Sequence, residues 1–247
     1  MSKKDMSFDT KLIHAGEPDP RIEGAVSIPI FQSSTFEYAG QTDYDSLRYI
    51  RLNNTPNHIA LHKKLAALEG AEAALVTSSG MSAITTSLLT FLKSGDHLLA
   101  HSTLYGGTAD YVKHDLPQYG IEVDFFDAMI PDVWESKVKP NTKVVYVETI
   151  TNPLITIPEL GAVTELVKKH NLISMIDNTF ASPALYCPLM HGFDISLHSA
   201  TKYLNGHTDI VAGVVIGSET HISKVRSKLN HLGGSLDPMP VFYSIGG

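Results

Sequence analysis

From residue 56 onward, the chain alternates short apolar runs with stretches that carry apolar residues on one helical face. Some runs, such as Val144-Val145-Tyr146-Val147, are apolar at consecutive positions, which is typical of parallel strands covered on both faces. Between the runs, stripes such as Leu61, Leu65 and Leu68 have helical spacing. The alternation predicts an α/β fold, with a mostly parallel seven-stranded sheet and helices on both faces. The predicted strands are Ala73–Thr77, His97–His101, Glu122–Phe126, Lys143–Glu148, Leu172–Asp177, Asp194–His198 and Ala212–Ile216.

The sequence predicts an arm before the α/β domain and a short tail after it. Residues 1–55 are rich in Pro, Gly, Ser and Tyr and show little periodicity, so we expect an arm that is ordered by contact with something else. Residues 56–237 form the predicted α/β domain, and residues 238–247 form a tail. One domain with an arm suits a length of 247 residues.

Composition and charge indicate which kind of ligand the chain binds and where in the cell it is found. With 19 basic and 26 acidic residues the net charge is −7, and no basic face suits nucleic acid, so a small-molecule substrate is expected. The single cysteine, Cys187, cannot form an internal disulfide, which favours a cytoplasmic location. The N-terminus has no apolar signal-peptide core. The uncharged run Ala73–Leu92 is interrupted by Ser, Thr and Gly80, which favours a strand, a turn and a helix over a membrane span.

Polar clusters follow several predicted strands, where parallel sheets bind their ligands. Ser199-Ala200-Thr201-Lys202 follows the sixth strand. Lysine forms Schiff bases with carbonyl cofactors, and burial would lower its pKa. The hydroxyls of Ser199 and Thr201 are suited to a phosphate. The alternative is a surface lysine in a polar turn, and the tetrapeptide alone does not distinguish the two.

Asp177-Asn178-Thr179 follows the fifth strand. A carboxylate there can keep the pyridine nitrogen of pyridoxal 5′-phosphate (PLP) protonated, and the alternative is a helix N-cap. Ser78-Ser79-Gly80-Met81 can offer backbone N–H groups to a phosphate, or serve as an ordinary cap. Tyr105-Gly106-Gly107-Thr108 supplies an aromatic ring that can stack on a flat cofactor or pack over the sheet end.

Four histidines and the Gly80 turn allow other interpretations of the sequence. His58 and His62 have metal-ligand spacing on a helix, but no third ligand joins them, so no metal site is expected. His198 and His207 flank the lysine, and packing around the site is the expected role of both. A nucleotide-binding α/β protein has only the Gly80 turn in its favour, because the chain lacks a dinucleotide or P-loop glycine pattern.

Taken together, these clusters resemble the Cys/Met-metabolism family of PLP enzymes. Residues 194–207, Asp-Ile-Ser-Leu-His-Ser-Ala-Thr-Lys-Tyr-Leu-Asn-Gly-His, closely match the family signature around the Schiff-base lysine, and the resemblance runs from about Thr10 to Pro238. It implies PLP as cofactor, a small sulfur amino acid as substrate, and the large domain of fold type I, the aspartate-aminotransferase-like fold of PLP-dependent transferases.

The resemblance also implies roles for individual residues. Lys202 would bind PLP and move protons, Asp177 would pair with the pyridinium nitrogen, and Tyr105 would stack on the ring. Tyr49 and Arg51 match a pair that reaches the phosphate of a neighbouring subunit, which implies a homodimeric catalytic unit, usually paired into a homotetramer. The other matched positions lie near the phosphate, the ring or the substrate carboxylate: Gly80, Met81, Ser199, Thr201, Glu148 and Asn152.

Family members eliminate or replace a γ-substituent through a shared intermediate. Methionine γ-lyases typically carry cysteine where this chain has Gly107, so the resemblance favours a cystathionine γ-lyase or γ-synthase. The alternatives are O-acetylhomoserine sulfhydrylase, methionine γ-lyase and cystathionine β-lyase.

The tail departs from the family, which continues into a smaller C-terminal domain with an arginine that clamps the substrate carboxylate. With suitable codons, deletion of one nucleotide converts the usual family sequence into Pro238–Gly247. We therefore expect a frameshifted, truncated member without the small domain and with little turnover. The rival hypothesis is a non-catalytic remnant that binds PLP.

Overall fold

A seven-stranded sheet forms the centre of the computed structural model, which describes residues 6–44 and 46–246. Every predicted strand is present, and its ends lie within one residue of the predicted ends. The strands are β1 (Ala73–Thr77), β2 (His97–His101), β3 (Glu122–Phe126), β4 (Thr142–Glu148), β5 (Ile173–Asp177), β6 (Ile195–His198) and β7 (Gly213–Gly217).

The strand order is β1-β7-β6-β5-β4-β2-β3. Neighbours from β6 to β3 are parallel, whereas β7 runs antiparallel to both β1 and β6. The predicted mostly parallel sheet is thus confirmed, with β7 as its one exception. A parallel neighbour needs a long crossover, and residues 199–212 instead return from β6 to β7 without a helix. This short return holds Lys202 at the edge where β6 ends and β7 begins.

Helices cover both faces of the sheet, as predicted. One face packs on Ile84 and Leu88 of one helix and Val225 of another, and the opposite face packs on Leu61 and Val163. No helix within residues 6–44 and 46–246 is long and apolar enough to cross a membrane. The helices are α1 (Phe8–His14), α2 (Pro56–Glu69), α3 (Gly80–Phe91), α4 (Gly106–Asp110), α5 (Leu160–His170), α6 (Ser182–Leu185), α7 (Glu219–Leu232) and α8 (Pro238–Gly246).

The described parts of the arm and the tail both contact α2. The buried Lys64 of α2 donates hydrogen bonds from Nζ to the carbonyl oxygens of Leu12 and Ile245, each over 2.6 Å. Val241 of α8 is fully buried in the same cluster as Leu61. The first five residues of the predicted arm, its residue 45 and residue 247 of the tail lie outside the described residues. The division at residues 55 and 237 stays a prediction.

Candidate active site

A cavity of about 330 Å³ opens at the sheet edge where β1, β4, β5 and β6 end. Its lining joins segments that are far apart in the sequence and that each follow a different strand. Nine of the residues predicted from the sequence line this cavity: Gly80, Met81, Tyr105, Glu148, Asn152, Asp177, Ser199, Thr201 and Lys202.

Lys202 lies in a turn directly after β6. Its backbone N–H donates to the carbonyl oxygen of Ser199 over 3.1 Å, and the hydroxyl of Thr201 accepts a hydrogen bond from the N–H of Ala212 over 3.1 Å. The turn is therefore tied to the segment that leads into β7. The lysine side chain is exposed at the mouth of the cavity, so the expectation of a buried lysine is wrong.

Asp177 ends β5 and is oriented by Thr179. The backbone N–H and the hydroxyl of Thr179 both donate to Asp177 Oδ1, over 3.0 and 2.5 Å. The same hydroxyl accepts a hydrogen bond from the N–H of Ser199 over 2.8 Å. Burial raises the pKa of Asp177, whereas two hydrogen bonds from Thr179 and, separately, the charge of His198 lower it. Thr179 thus connects the carboxylate to the turn that holds Lys202.

The N-terminus of α3 faces the same cavity. The hydroxyl of Ser79 caps the helix by accepting from the N–H of Ser82 over 3.0 Å, and the N–H groups of Gly80 and Met81 have no intrahelical partner. A Cβ atom at Gly80 would lie 2.8 Å from the Cβ of Ser199. Glycine is therefore required for the helix start to approach the lysine turn, and the two together can hold a phosphate.

Glu148 connects the loops on the other side of the cavity. Its Oε1 accepts from the N–H of Tyr105 over 2.6 Å, and its Oε2 accepts from the N–H of Asn152 over 3.0 Å. The side chain is 3% exposed. Burial, with the charge of Asp177, raises the pKa of Glu148 to about 7, against the two backbone hydrogen bonds. The carboxylate thereby positions both Tyr105 and Asn152.

Tyr105 begins α4, and its side chain is 47% exposed. A Cβ atom at Gly107 would lie 2.8 Å from the Tyr105 ring and 3.2 Å from Met81 Sδ. The glycine therefore allows the ring to lie against α4, beside the cavity.

The donor set suits PLP. The cavity combines an accessible lysine amine, a carboxylate that faces it from the neighbouring strand, an aromatic ring, and a capped helix start next to two hydroxyls. The close approach of Gly80 to Ser199 leaves free N–H groups beside those hydroxyls, as a phosphate requires. The residues present thus fit an aldehyde cofactor with a phosphate group and a pyridine ring.

The structure does not bring Tyr49 and Arg51 to this cavity. The Arg51 guanidinium donates to the carbonyl oxygen of Asn230 over 2.7 Å and to the hydroxyl of Tyr44 over 2.5 Å, and lies 5.4 Å from the centre of the Tyr49 ring. Arg51 thus contacts α7, and neither residue lines the cavity of its own chain.

The four histidines considered in the sequence do not line this cavity. His58 bonds the Thr55 hydroxyl and the Leu236 carbonyl, and His62 Nε2 accepts from the N–H of Val76. Across the described ranges no group of three or more potential metal ligands is found. His207 lines a second cavity near the arm, and His198 is buried behind the site.

Comparison with known proteins agrees with this geometry. The sequence profile described as "Cys/Met metabolism PLP-dependent enzyme" matches residues 9–247. The chain belongs to this family. It is 41% identical to an L-methionine γ-lyase from Porphyromonas gingivalis, over 92% of this chain and 59% of the relative. It is 39% identical to a cystathionine γ-lyase from Bacillus subtilis, over 94% of this chain and 61% of the relative.

A solved structure shows the same fold. The crystal structure of cystathionine γ-lyase from Lactobacillus plantarum, complexed with L-serine, superimposes with a TM-score of 0.90 at 36% identity. The match covers 97% of this chain and 62% of that one. The chain spans between 59% and 72% of the length of the curated relatives that it matches. The fold-type-I large domain implied by the sequence is thus confirmed.

Several residues that line the cavity were not predicted from the sequence. Thr179 belongs to the cluster after β5, and its position two residues after Asp177 was a usable signal. The others carry no chemical signature in the sequence, because they are small or apolar and reach the cavity only through the fold: Ser79, Ile84, Ile150, Phe180 and Val211.

Proposed function

We propose that this chain binds PLP as a Schiff base on Lys202 and acts on a sulfur amino acid by γ-elimination or γ-replacement. The observation that carries the proposal is the convergence of Lys202, Asp177, Tyr105 and the start of α3 on one cavity. Bound PLP supplies a reactive carbonyl carbon and a ring that withdraws electrons from the substrate Cα.

The residues of the chain divide the remaining work. The Lys202 amine would accept the Cα proton of the substrate. Asp177 would hold a proton on the ring nitrogen, and the two hydrogen bonds from Thr179 fix the orientation of Asp177. Tyr105, held by the carboxylate of Glu148, would cover one face of the ring. The phosphate would be held by Gly80, Met81, Ser199 and Thr201. Asn152 would lie near the substrate carboxylate.

Within the family, we propose the cystathionine γ-lyase or γ-synthase type. Gly107 supports this, because a side chain here would meet the Tyr105 ring and Met81. A side chain at this position would occupy the space next to the ring. Glycine leaves that space free for cystathionine, which is larger than methionine.

We further propose that Tyr49 and Arg51 serve the site of a second copy in a homodimer or homotetramer. This is supported by the finding that neither residue lines the cavity of its own chain. An Arg51→Ala variant should lose PLP affinity only at concentrations where the wild-type chain self-associates in light scattering. Equal PLP affinity of the two chains under those conditions would reject the assignment. The cytoplasmic location stays a prediction.

The activity is tested with the PLP-saturated chain and a Lys202→Ala control. Cystathionine, or an activated homoserine ester with cysteine, is incubated in deuterated buffer. We expect exchange of the substrate Cα proton, seen by NMR, and release of cysteine and a 2-oxo acid or formation of cystathionine. Exchange by the Lys202→Ala control at the same rate would reject the proposal.

The second candidate is a chain that binds PLP without turnover. It is favoured by the lining of the cavity, which includes no arginine among the described residues to pair with a substrate carboxylate. The same experiment separates the two: bound PLP with neither exchange nor product supports the second candidate.

A further inference from the structure

A carboxylate–imidazole pair is buried behind the candidate site. Glu69 ends α2, His198 ends β6, and both side chains have 0% exposure. Glu69 Oε1 accepts a hydrogen bond from His198 Nε2 over 2.6 Å, which is short for a hydrogen bond between nitrogen and oxygen. Glu69 Oε2 and His198 Nδ1 find no hydrogen-bond partner in the part of the chain that the structure describes. Apolar side chains of similar size often stabilise a fold as well as such a pair or better, so stability alone does not explain it.

The pair is connected to the ends of the strands that form the site. Glu69 Oε1 also accepts from the side-chain amide of Asn178 over 3.2 Å and from the hydroxyl of Ser196 over 3.1 Å. Asn178 Oδ1 in turn accepts from the hydroxyl of Thr149 over 2.7 Å. Thr149 follows Glu148, Asn178 follows Asp177, and His198 precedes Ser199. Three of the four strands that end beside the cavity, β4, β5 and β6, thus each contribute one residue to the network, at the strand end or directly after it.

His198 also acts on Asp177 through its charge. His198 lowers the pKa of Asp177 and so opposes the effect of burial. The register of the sheet places Asp177 opposite Leu197, the residue before His198. The imidazole is therefore close enough to favour the ionised carboxylate without contacting the cavity itself.

We propose that Glu69 and His198 are positioning residues for the cofactor ring: the pair aligns the ends of β4, β5 and β6, and keeps Asp177 ionised so that the ring nitrogen stays protonated. This inference rests on the proposed function, since it assumes that Asp177 faces the pyridine nitrogen. Glu69 and His198 take no part in bond making, because neither lines the cavity.

The test replaces the pair with apolar side chains of similar size, in a Glu69→Met/His198→Leu double variant. PLP labelled with ¹⁵N at the ring nitrogen reports protonation through its chemical shift. We expect the double variant to fold but to unfold below the wild-type temperature, because Asn178 and Ser196 lose Glu69 as a hydrogen-bond acceptor. The ¹⁵N chemical shift of the ring nitrogen should move toward its deprotonated value. The PLP dissociation constant should rise about tenfold, the change that corresponds to about one unit in the pKa of the ring nitrogen.

The matched control is Glu135→Met/His170→Leu, which removes an exposed pair with a similar Oε1–Nε2 distance of 2.7 Å. It should leave the nitrogen signal and the PLP affinity unchanged. A folded Glu69→Met/His198→Leu chain with a protonated ring nitrogen and wild-type affinity would overturn the inference. If that variant does not fold, Glu69→Gln, which keeps the shape and one acceptor oxygen, takes its place in the same comparison with the same two outcomes. A deprotonated nitrogen in the wild-type chain would instead reject the role of Asp177.

Discussion

The carboxylate of Glu148 accepts a hydrogen bond from the backbone N–H of Tyr105 over 2.6 Å. With its second oxygen on the N–H of Asn152, it joins the loop after β2 to the loop after β4. Both loops carry residues of the candidate site. Because the carboxylate is buried, its pKa rises from the usual 4.5 to about 7. The contact that positions Tyr105 is therefore sensitive to pH near neutrality.

Glu148→Gln tests this contact through stability. Between pH 4.5 and about 7 the folded chain retains a proton on Glu148 that the unfolded chain has lost, so the contribution of Glu148 to stability falls as pH rises. The free energy of unfolding of the wild type, relative to the variant, should fall by about 3 kcal/mol between about pH 4 and about pH 8. Urea denaturation at both pH values measures it. A constant difference between the two chains would contradict the assignment.

The sequence predicted the strands and the clusters after them because both signals are local. The apolar run Val144-Val145-Tyr146-Val147 predicts β4 from its own residues alone. Asp177 is the last residue of β5, and Lys202 lies four residues after the end of β6. The exposure of Lys202 and the direction of β7 were not predictable this way, since they depend on how residues 199–212 return. The Glu69–His198 contact joins residues 129 positions apart, which no local pattern indicates.

Gly80→Ala should weaken PLP binding. The new methyl group would lie 2.8 Å from the Cβ of Ser199, so the helix start and the lysine turn must separate. Overpacking of this kind costs about 1–3 kcal/mol, which corresponds to about a five- to 150-fold rise in the dissociation constant if the phosphate site bears the cost. Fluorescence titration with PLP measures the change.

Gly161→Ala is the matched control for Gly80→Ala. Gly161 also lies in the first turn of a helix, and its added methyl group would meet nothing within 4 Å. Its PLP affinity should equal that of the wild type. Equal affinities for both variants would show that the approach of Gly80 to Ser199 does not shape the phosphate site.

Gly107→Ala should displace the Tyr105 ring, because its methyl group would lie 2.8 Å from the ring. Loss of ring stacking costs about 0.5–1.5 kcal/mol, or about two- to tenfold in PLP affinity. The adjacent Gly106→Ala meets nothing within 4 Å and should behave as the wild type. If Gly106→Ala had the larger effect on the visible circular dichroism of bound PLP, the placement of Tyr105 over the ring would be wrong.

Asp177→Asn should impair catalysis more than cofactor attachment. The amide oxygen can still accept the hydrogen bonds of Thr179, but it cannot hold a proton on the ring nitrogen. Exchange of the substrate Cα proton with solvent deuterium should slow at least about a hundredfold. The Schiff base should still form, because it needs Lys202 alone. Wild-type exchange in a variant that retains PLP would remove Asp177 from its proposed role.

The central claim is that Lys202 carries PLP, and borohydride reduction followed by peptide mapping tests it most directly. Reduction fixes the Schiff base as a stable secondary amine, so the modified lysine can be identified by mass spectrometry. We predict a single phosphopyridoxyl label on the peptide that contains Lys202, and no label at stoichiometric PLP in a Lys202→Arg chain. A label on any other lysine, or none on the folded, PLP-saturated protein, would contradict the claim.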